Sequence, residues 1–161
     1  MFKLKESSPV VAKASVVINR PAEDVFHFIG ERFFENYPRW SLEVQELKQI
    51  TPGSVRVGTR ARQVRVDQGH RSESIFAVTI FQPGQRICFE GVSNPYRCDY
   101  ELKPTDPEPS TRVTFTFELQ KLELYMRPFE KLIRVVIQDG GERTVRNLKR
   151  LIEAECAACV S

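Results

Sequence analysis

Through most of the chain, apolar and polar residues alternate with a period of two, and near the end the period becomes helical. Val10 to Ile18, rich in Val and Ala, predicts a first strand. Asn19-Arg20-Pro21-Ala22-Glu23-Asp24 predicts a helix start, with proline in the first turn and acidic side chains at the positive end of the dipole. Val25, Phe26 and Ile29 give that helix an inward face, and Gly30 is expected to close it. Phe33 to Tyr37 predicts a second short helix, ended by Pro38. Six strands are then expected: Val44–Thr51, Thr59–Asp67, Ser72–Phe81, Arg86–Val92, Tyr96–Lys103 and Thr111–Leu119. Alternation is strictest at Tyr96, Cys98, Tyr100 and Leu102 against Arg97, Asp99, Glu101 and Lys103, which predicts one buried and one wet face.

From Met126 to about Ala157 the pattern predicts one long helix. Phe129, Leu132, Ile133, Val136 and Ile137 mark its apolar face, and Val145, Leu148, Leu151 and Ile152 carry that face on. Between them, Gly140 and Gly141 fall on the same face, since residues four, seven or eleven apart are nearly in phase. Each glycine costs about 1 kcal/mol of helix propensity relative to alanine. Room for a ligand, a bend, close packing on the sheet and a break into two helices are all consistent with the pair. The short connections predict antiparallel hairpins. A sheet of about seven strands with one wet face needs an apolar partner on the other. The last helix, spanning about 45 Å, is the one element long enough. The fold class is therefore α+β.

At 161 residues the chain suits one domain, 1–161, with its core over about 10–157. A hydrophobic share of 41% and a charged share of 28% fit a soluble globular protein. Net charge is +3 with basic and acidic residues interleaved, which argues against nucleic acid and an anionic membrane. The N-terminal residues contain no apolar stretch long enough for a signal peptide or membrane span, so a cytoplasmic location is the default. Of four cysteines, Cys88 and Cys98 fall in strands as small hydrophobes. Cys156 and Cys159 have CxxC spacing at a helix C-terminus, the wrong end to stabilise a thiolate, and no second pair completes a zinc site.

The ordered set of motifs resembles the START-like (SRPBCC, birch-pollen-allergen-like) superfamily, and within it the polyketide cyclase/dehydrase-like branch. The residues that carry the resemblance are Val16-Val17-Ile18-Asn19-Arg20-Pro21-Ala22-Glu23-Asp24-Val25-Phe26, Tyr37-Pro38-Arg39-Trp40, Val57-Gly58-Thr59-Arg60, Gln82-Pro83-Gly84-Gln85-Arg86 and Thr111-Arg112-Val113-Thr114-Phe115. The resemblance implies a helix-grip fold, an antiparallel sheet wrapped around the last helix with a cavity between. It also implies binding of lipids, sterols, hormones or polyketides, with cyclisation or dehydration in some members and chaperone activation in others.

The cavity walls are expected from inward strand faces: Phe76 with Val78 and Ile80, then Tyr96, Cys98, Tyr100, Phe115 and Phe117. The floor is expected from Phe129, Ile133, Val136, Ile137, Gly140 and Gly141. Tyr96 and Tyr100 join an aromatic wall to a hydroxyl that orients a ligand, or else are core tyrosines with wet tips. Trp40, the only tryptophan, closes the cavity mouth or plugs the core. Arg62 shares parity with Val64 and Val66, which points it inward to hold a carboxylate or enolate; a register shift of one residue puts it outside. His27 and His70 are expected at the surface, and no acid pair, triad, phosphate loop or metal cluster can be placed. The expected function is cofactor-free binding of a small hydrophobic molecule. A cyclase or dehydratase using the same pocket and a protein-interaction module are the alternatives.

Overall fold

The computed structural model describes residues 9–158. The N-terminal residues 1–8 and Cys159 lie outside that range. The strands are β1 (Val10–Ile18), β2 (Val44–Gln49), β3 (Arg60–Asp67), β4 (His70–Gln82), β5 (Arg86–Gly91), β6 (Tyr96–Thr105) and β7 (Ser110–Leu119). They form one sheet in the order β1-β7-β6-β5-β4-β3-β2, with every pair of neighbours antiparallel. The helices are α1 (Ala22–Phe26), α2 (Phe33–Trp40) and α3 (Glu130–Ala158). This is the helix-grip arrangement: an open sheet, two short helices joining its edge strands, and a long helix across one face.

Local chemistry sets the joints. Gln68 and Gly69 both adopt positive φ, 51° and 78°, and make the tight turn between β3 and β4 that glycine tolerates best. Gly30 does not simply end α1. It lies inside a π-helical turn, His27–Glu31, and a Cβ there would stand 2.6 Å from the Phe26 ring, so only glycine lets that ring sit against the backbone. The expected start of the last helix at Met126 also changes. Leu124–Phe129 forms a 3₁₀ turn containing Pro128, whose ring and missing N–H disfavour an α-helical interior. The α-helix proper starts at Glu130 and continues unbroken through Gly140 and Gly141.

Buried aromatic side chains of α2, β4, β5 and β6 make the core. Phe33 stacks on Tyr37 at 4.8 Å and meets Phe34, Trp40, Phe76 and Phe89 edge-on at 5.2 to 6.0 Å. In β4 the expected parity holds through Phe76 and Val78, both buried. A bulge between Val78 and Ile80 then shifts the register. Beyond it Phe81, not Ile80, packs on the core, edge-on to Phe26 at 5.3 Å.

Helix α3 is tied to the edge strand. Gln138 donates to the Lys13 carbonyl at 2.9 Å, and Lys149 donates to the Val17 carbonyl at 2.7 Å. Arg20 donates to the Glu153 carbonyl, and Asn147 donates to the Trp40 carbonyl. At the other edge, β2 is six residues long and irregular between Val44 and Glu46.

Candidate functional site

Between the sheet and the N-terminal half of α3 lies a cavity of about 500 Å³, partly open to solvent. Its apolar wall includes Cys98, Tyr100, Phe115 and Phe117 from β6 and β7. Ile133, Val136 and Ile137 of α3 face them, with Met126 from the preceding turn. Gly140 and Gly141 line the same space. A Cβ on Gly140 would meet only the Arg143 guanidinium, at 3.7 Å. One on Gly141 would make ordinary contacts with Phe115 and Ala14, at 3.6 to 3.8 Å. Gly140 therefore opens the floor, while Gly141 seats the helix on the sheet.

Four expected lining residues lie elsewhere. Trp40 is buried in the core, where its indole donates to the Tyr100 hydroxyl at 3.2 Å. Phe76 is buried in the aromatic cluster around Phe33. Phe129 is 60% exposed, because sheet and cavity cover the first turns of α3 only on the side of Ile133 and Ile137. Arg62 is on the opposite face of the sheet, hydrogen-bonded to Glu73 at 2.6 Å and to Glu46 at 3.4 Å. In β3 the inward set is Ala61, Gln63 and Arg65, because Ala61 lies opposite Phe76 and Gln63 opposite Ser74. Arg62, Val64 and Val66 therefore take the one-residue shift that puts them outside, and the face toward the cavity is the more polar one.

That face builds the polar end of the cavity. Arg65 donates to the Tyr37 hydroxyl at 2.9 Å and to the Ser41 hydroxyl at 3.1 Å. It also forks onto both oxygens of Asp67 at 3.1 Å, with Glu43 at 3.9 Å. Glu43 in turn pairs with Arg143 of α3 at 3.4 Å, so this ion-paired rim joins sheet to helix. Tyr37 bonds Gln63 at 3.0 Å, Gln63 bonds Tyr96 at 3.0 Å, and Tyr96 bonds Ser74 at 2.9 Å.

The direction of this chain follows from its first member. A guanidinium only donates, so the Tyr37 oxygen accepts there and its proton goes to the Gln63 amide oxygen. The Gln63 amide nitrogen then donates to the Tyr96 oxygen. Tyr96 and Ser74 together hold two hydroxyl protons and need one for their mutual bond. The other is available to an oxygen in the cavity, and the bonds behind it polarise it in one sense.

Burial sets the protonation states. It pushes the Tyr37 and Tyr96 phenols up, Tyr96 against the pull of its bonds to Ser74 and Gln63. It raises Tyr100 strongly and pushes the Cys98 thiol up to about 12. At neutral pH Cys98 is therefore a neutral apolar wall rather than a nucleophile. Burial works against the Arg65 charge, but the Tyr37 oxygen and the Asp67 carboxylate more than offset it and hold the guanidinium above its ordinary value. Among the described residues no group of three His, Cys, Asp or Glu side chains is placed to hold a metal ion, and no helix is long and apolar enough to cross a membrane.

The phenols imply an alkaline limit. An unfolded tyrosine titrates near 10, whereas Tyr37, Tyr96 and Tyr100 keep their protons beyond that when folded. Above pH ~10 the folded state holds more protons than the unfolded state. Their contribution is therefore complete below pH ~10 and is lost as pH rises past it. Urea midpoints are expected to fall from about pH 10 to about pH 12, and less steeply in Tyr37→Phe. An equally steep fall in that variant would show that Tyr37 titrates normally.

A family model described as polyketide cyclase / dehydrase and lipid transport matches residues 9–153. No curated protein matches the sequence. Solved structures with the same fold include TTHA0849 from Thermus thermophilus, 19% identical with a TM-score of 0.74, over 90% of this chain and 98% of that one. The Zhui aromatase/cyclase from Streptomyces is 10% identical with a TM-score of 0.72, over 90% and 94%. A START superfamily protein from Mycobacterium smegmatis is 16% identical with a TM-score of 0.71, over 89% and 97%.

Proposed function

The chain belongs to the polyketide cyclase / dehydrase and lipid transport family, and on that premise we propose that it binds one small, largely apolar molecule in the cavity under α3. The observation that carries this reading is the pairing of apolar walls with a polarised hydroxyl end inside one cavity of about 500 Å³. Such a space takes an apolar body and orients it by one oxygen. A carbonyl or hydroxyl oxygen suits the Tyr96–Ser74 end. A free carboxylate suits it less, because Arg65 already lies between Asp67 and Glu43.

Filling the floor tests this directly. Gly140→Leu is expected to weaken uptake of naphthol, an apolar ring with one hydroxyl, by at least about tenfold, as read by fluorescence titration. Gly140→Ala leaves most of the space and is expected to raise stability by about 0.5–1 kcal/mol, since its Cβ meets no backbone. Native mass spectrometry of freshly purified protein should show a retained small-molecule mass that is lost in Gly140→Leu. Unchanged uptake by a folded Gly140→Leu protein would sink the assignment.

A second reading, an enzyme of the cyclase or dehydratase kind, is favoured by the same directional chain. A donor backed by Arg65 and aimed at a carbonyl would stabilise enolate character as charge develops on the oxygen. The name of the Zhui aromatase/cyclase supports this reading by analogy of fold. Tyr96→Phe separates the two. Loss of turnover of a polyketide-like ketone with little loss of its binding argues for the enzyme.

A further inference from the structure

We propose that Tyr100 is a second hydrogen-bond donor to the molecule in the cavity, set in that role by Trp40, so that the site selects ligands with two separate oxygens over those with one. This rests on the ligand-binding reading above and deepens it: the Tyr96–Ser74 end takes one oxygen, and Tyr100 takes another.

The direction of one hydrogen bond leaves a proton over. An indole N–H only donates, so the Tyr100 oxygen, 3.2 Å from the Trp40 nitrogen, is the acceptor. Tyr100 therefore keeps its own proton to give. Among the described residues no other group is hydrogen-bonded to that hydroxyl. The ionisable groups around it are Cys98, Tyr37 and Arg65. Arg65 has no lone pair to offer. The Tyr37 oxygen already accepts from Arg65, and its proton goes to Gln63. The Tyr100 ring is held in place, with Trp40 at 5.8 Å and Phe115 at 4.9 Å between centroids, and the residue is only 2% exposed. The direction left to the proton is the cavity, which Tyr100 lines.

A buried donor without an acceptor is unfavourable, and a ligand oxygen removes that penalty. A ligand that is apolar at this point leaves the penalty in place, which is how a buried polar group tells close analogues apart. Tyr96 and Tyr100 both line the cavity from β6, four residues apart, so the two donors stand at different points along one wall. They call for an apolar body with an oxygen at each of two places, as in a hydroxy ketone. Both of those oxygens accept, so either orientation of the ligand satisfies both donors.

The test is displacement of naphthol by two matched pairs of probes, read by fluorescence. Hydroxytetralone is compared with hydroxytetralin, and, for a longer span between oxygens, hydroxyphenylcyclohexanone with cyclohexylphenol. Within each pair the members differ by one ketone oxygen. In at least one pair the parent protein is expected to bind the ketone about fivefold more tightly, although a ketone is the harder of the two to dehydrate. Tyr100→Phe is expected to abolish that preference. Trp40→Phe, which removes the N–H that turns the Tyr100 hydroxyl, should lower it by about threefold. Phe33→Leu changes packing in the same aromatic cluster but neither hydrogen-bonding group, and should leave the ratio as in the parent, which separates a positioning role of Trp40 from a loosened core. A preference that survives in Tyr100→Phe overturns the proposal. So does a parent protein that binds neither ketone more tightly than its partner, a result that needs no variant to fold. Uptake of the single-oxygen probes would then leave the ligand-binding reading standing, whereas uptake of none of the four overturns both.

Discussion

Arg65→Met is expected to weaken naphthol binding by about 10- to 100-fold, while Arg62→Met leaves it within about twofold. The two arginines are three residues apart on one strand, yet they point to opposite faces. Arg65 is the strict donor that orients Tyr37, Gln63, Tyr96 and Ser74. Without it the Tyr37 proton has no fixed direction, and the hydroxyl at the far end loses its polarisation. Hydrogen bonds to charged groups contribute about 1.5–3 kcal/mol, which sets the size of the effect. Asp67 is about half exposed and recovers water when its partner goes, so the fold should survive. Fluorescence titration reads the affinity, and circular dichroism confirms folding. Equal effects of the two variants would mean that the chain of bonds plays no part in binding.

Phe33→Ala is expected to cost about 3–5 kcal/mol of stability, read from urea unfolding. Phe33 is fully buried and touches five other aromatic rings, including Tyr37 and Trp40. Its removal leaves a cavity between α2 and the sheet that ring neighbours, held by their own contacts, cannot collapse to fill. Against a typical total of about 5–15 kcal/mol, the loss is a large fraction. Phe129→Ala, at an exposed ring, should change stability by no more than about 0.5 kcal/mol. A cost below about 1 kcal/mol for Phe33→Ala would show that the cluster is not the mechanical centre of the domain.

The fold was legible because its signals are periodic and redundant. Tyr96 to Leu102 names one face four times over, and the long apolar phase from Ile133 to Ile152 survives two glycines. The cavity lining was legible where it is apolar: Tyr96, Cys98, Tyr100, Phe115, Phe117, Ile133, Val136, Ile137 and both glycines line it. It was misread where it is polar. In β3, the apolar residues Val64 and Val66 do not mark the inside, because a strand that walls the polar end of a cavity inverts that rule, and periodicity alone does not find Gln63 and Arg65. The signal was available one strand away: with Phe76 inward, antiparallel pairing across the Gln68-Gly69 turn sends Ala61, Gln63 and Arg65 inward too. Trp40 takes the second of its two expected places, the core, and Phe129 stays outside the cavity, for another reason. Their exposure depends on where α2 and the first turn of α3 lie against the sheet, and neither is encoded in local periodicity.

The ties between α3 and β1 have a further consequence. An open sheet offers two rows of backbone donors and acceptors to any passing strand, a hazard that a closed barrel abolishes. Here each border is guarded differently. Gln138 and Lys149 occupy outward carbonyls of β1, while β2 is short, irregular and carries Glu46 and Lys48 facing outward. With both borders made unattractive to other chains, the sheet can remain open without inviting fibrils or swapped strands. That freedom lets seven strands curl around a hollow instead of sealing it shut.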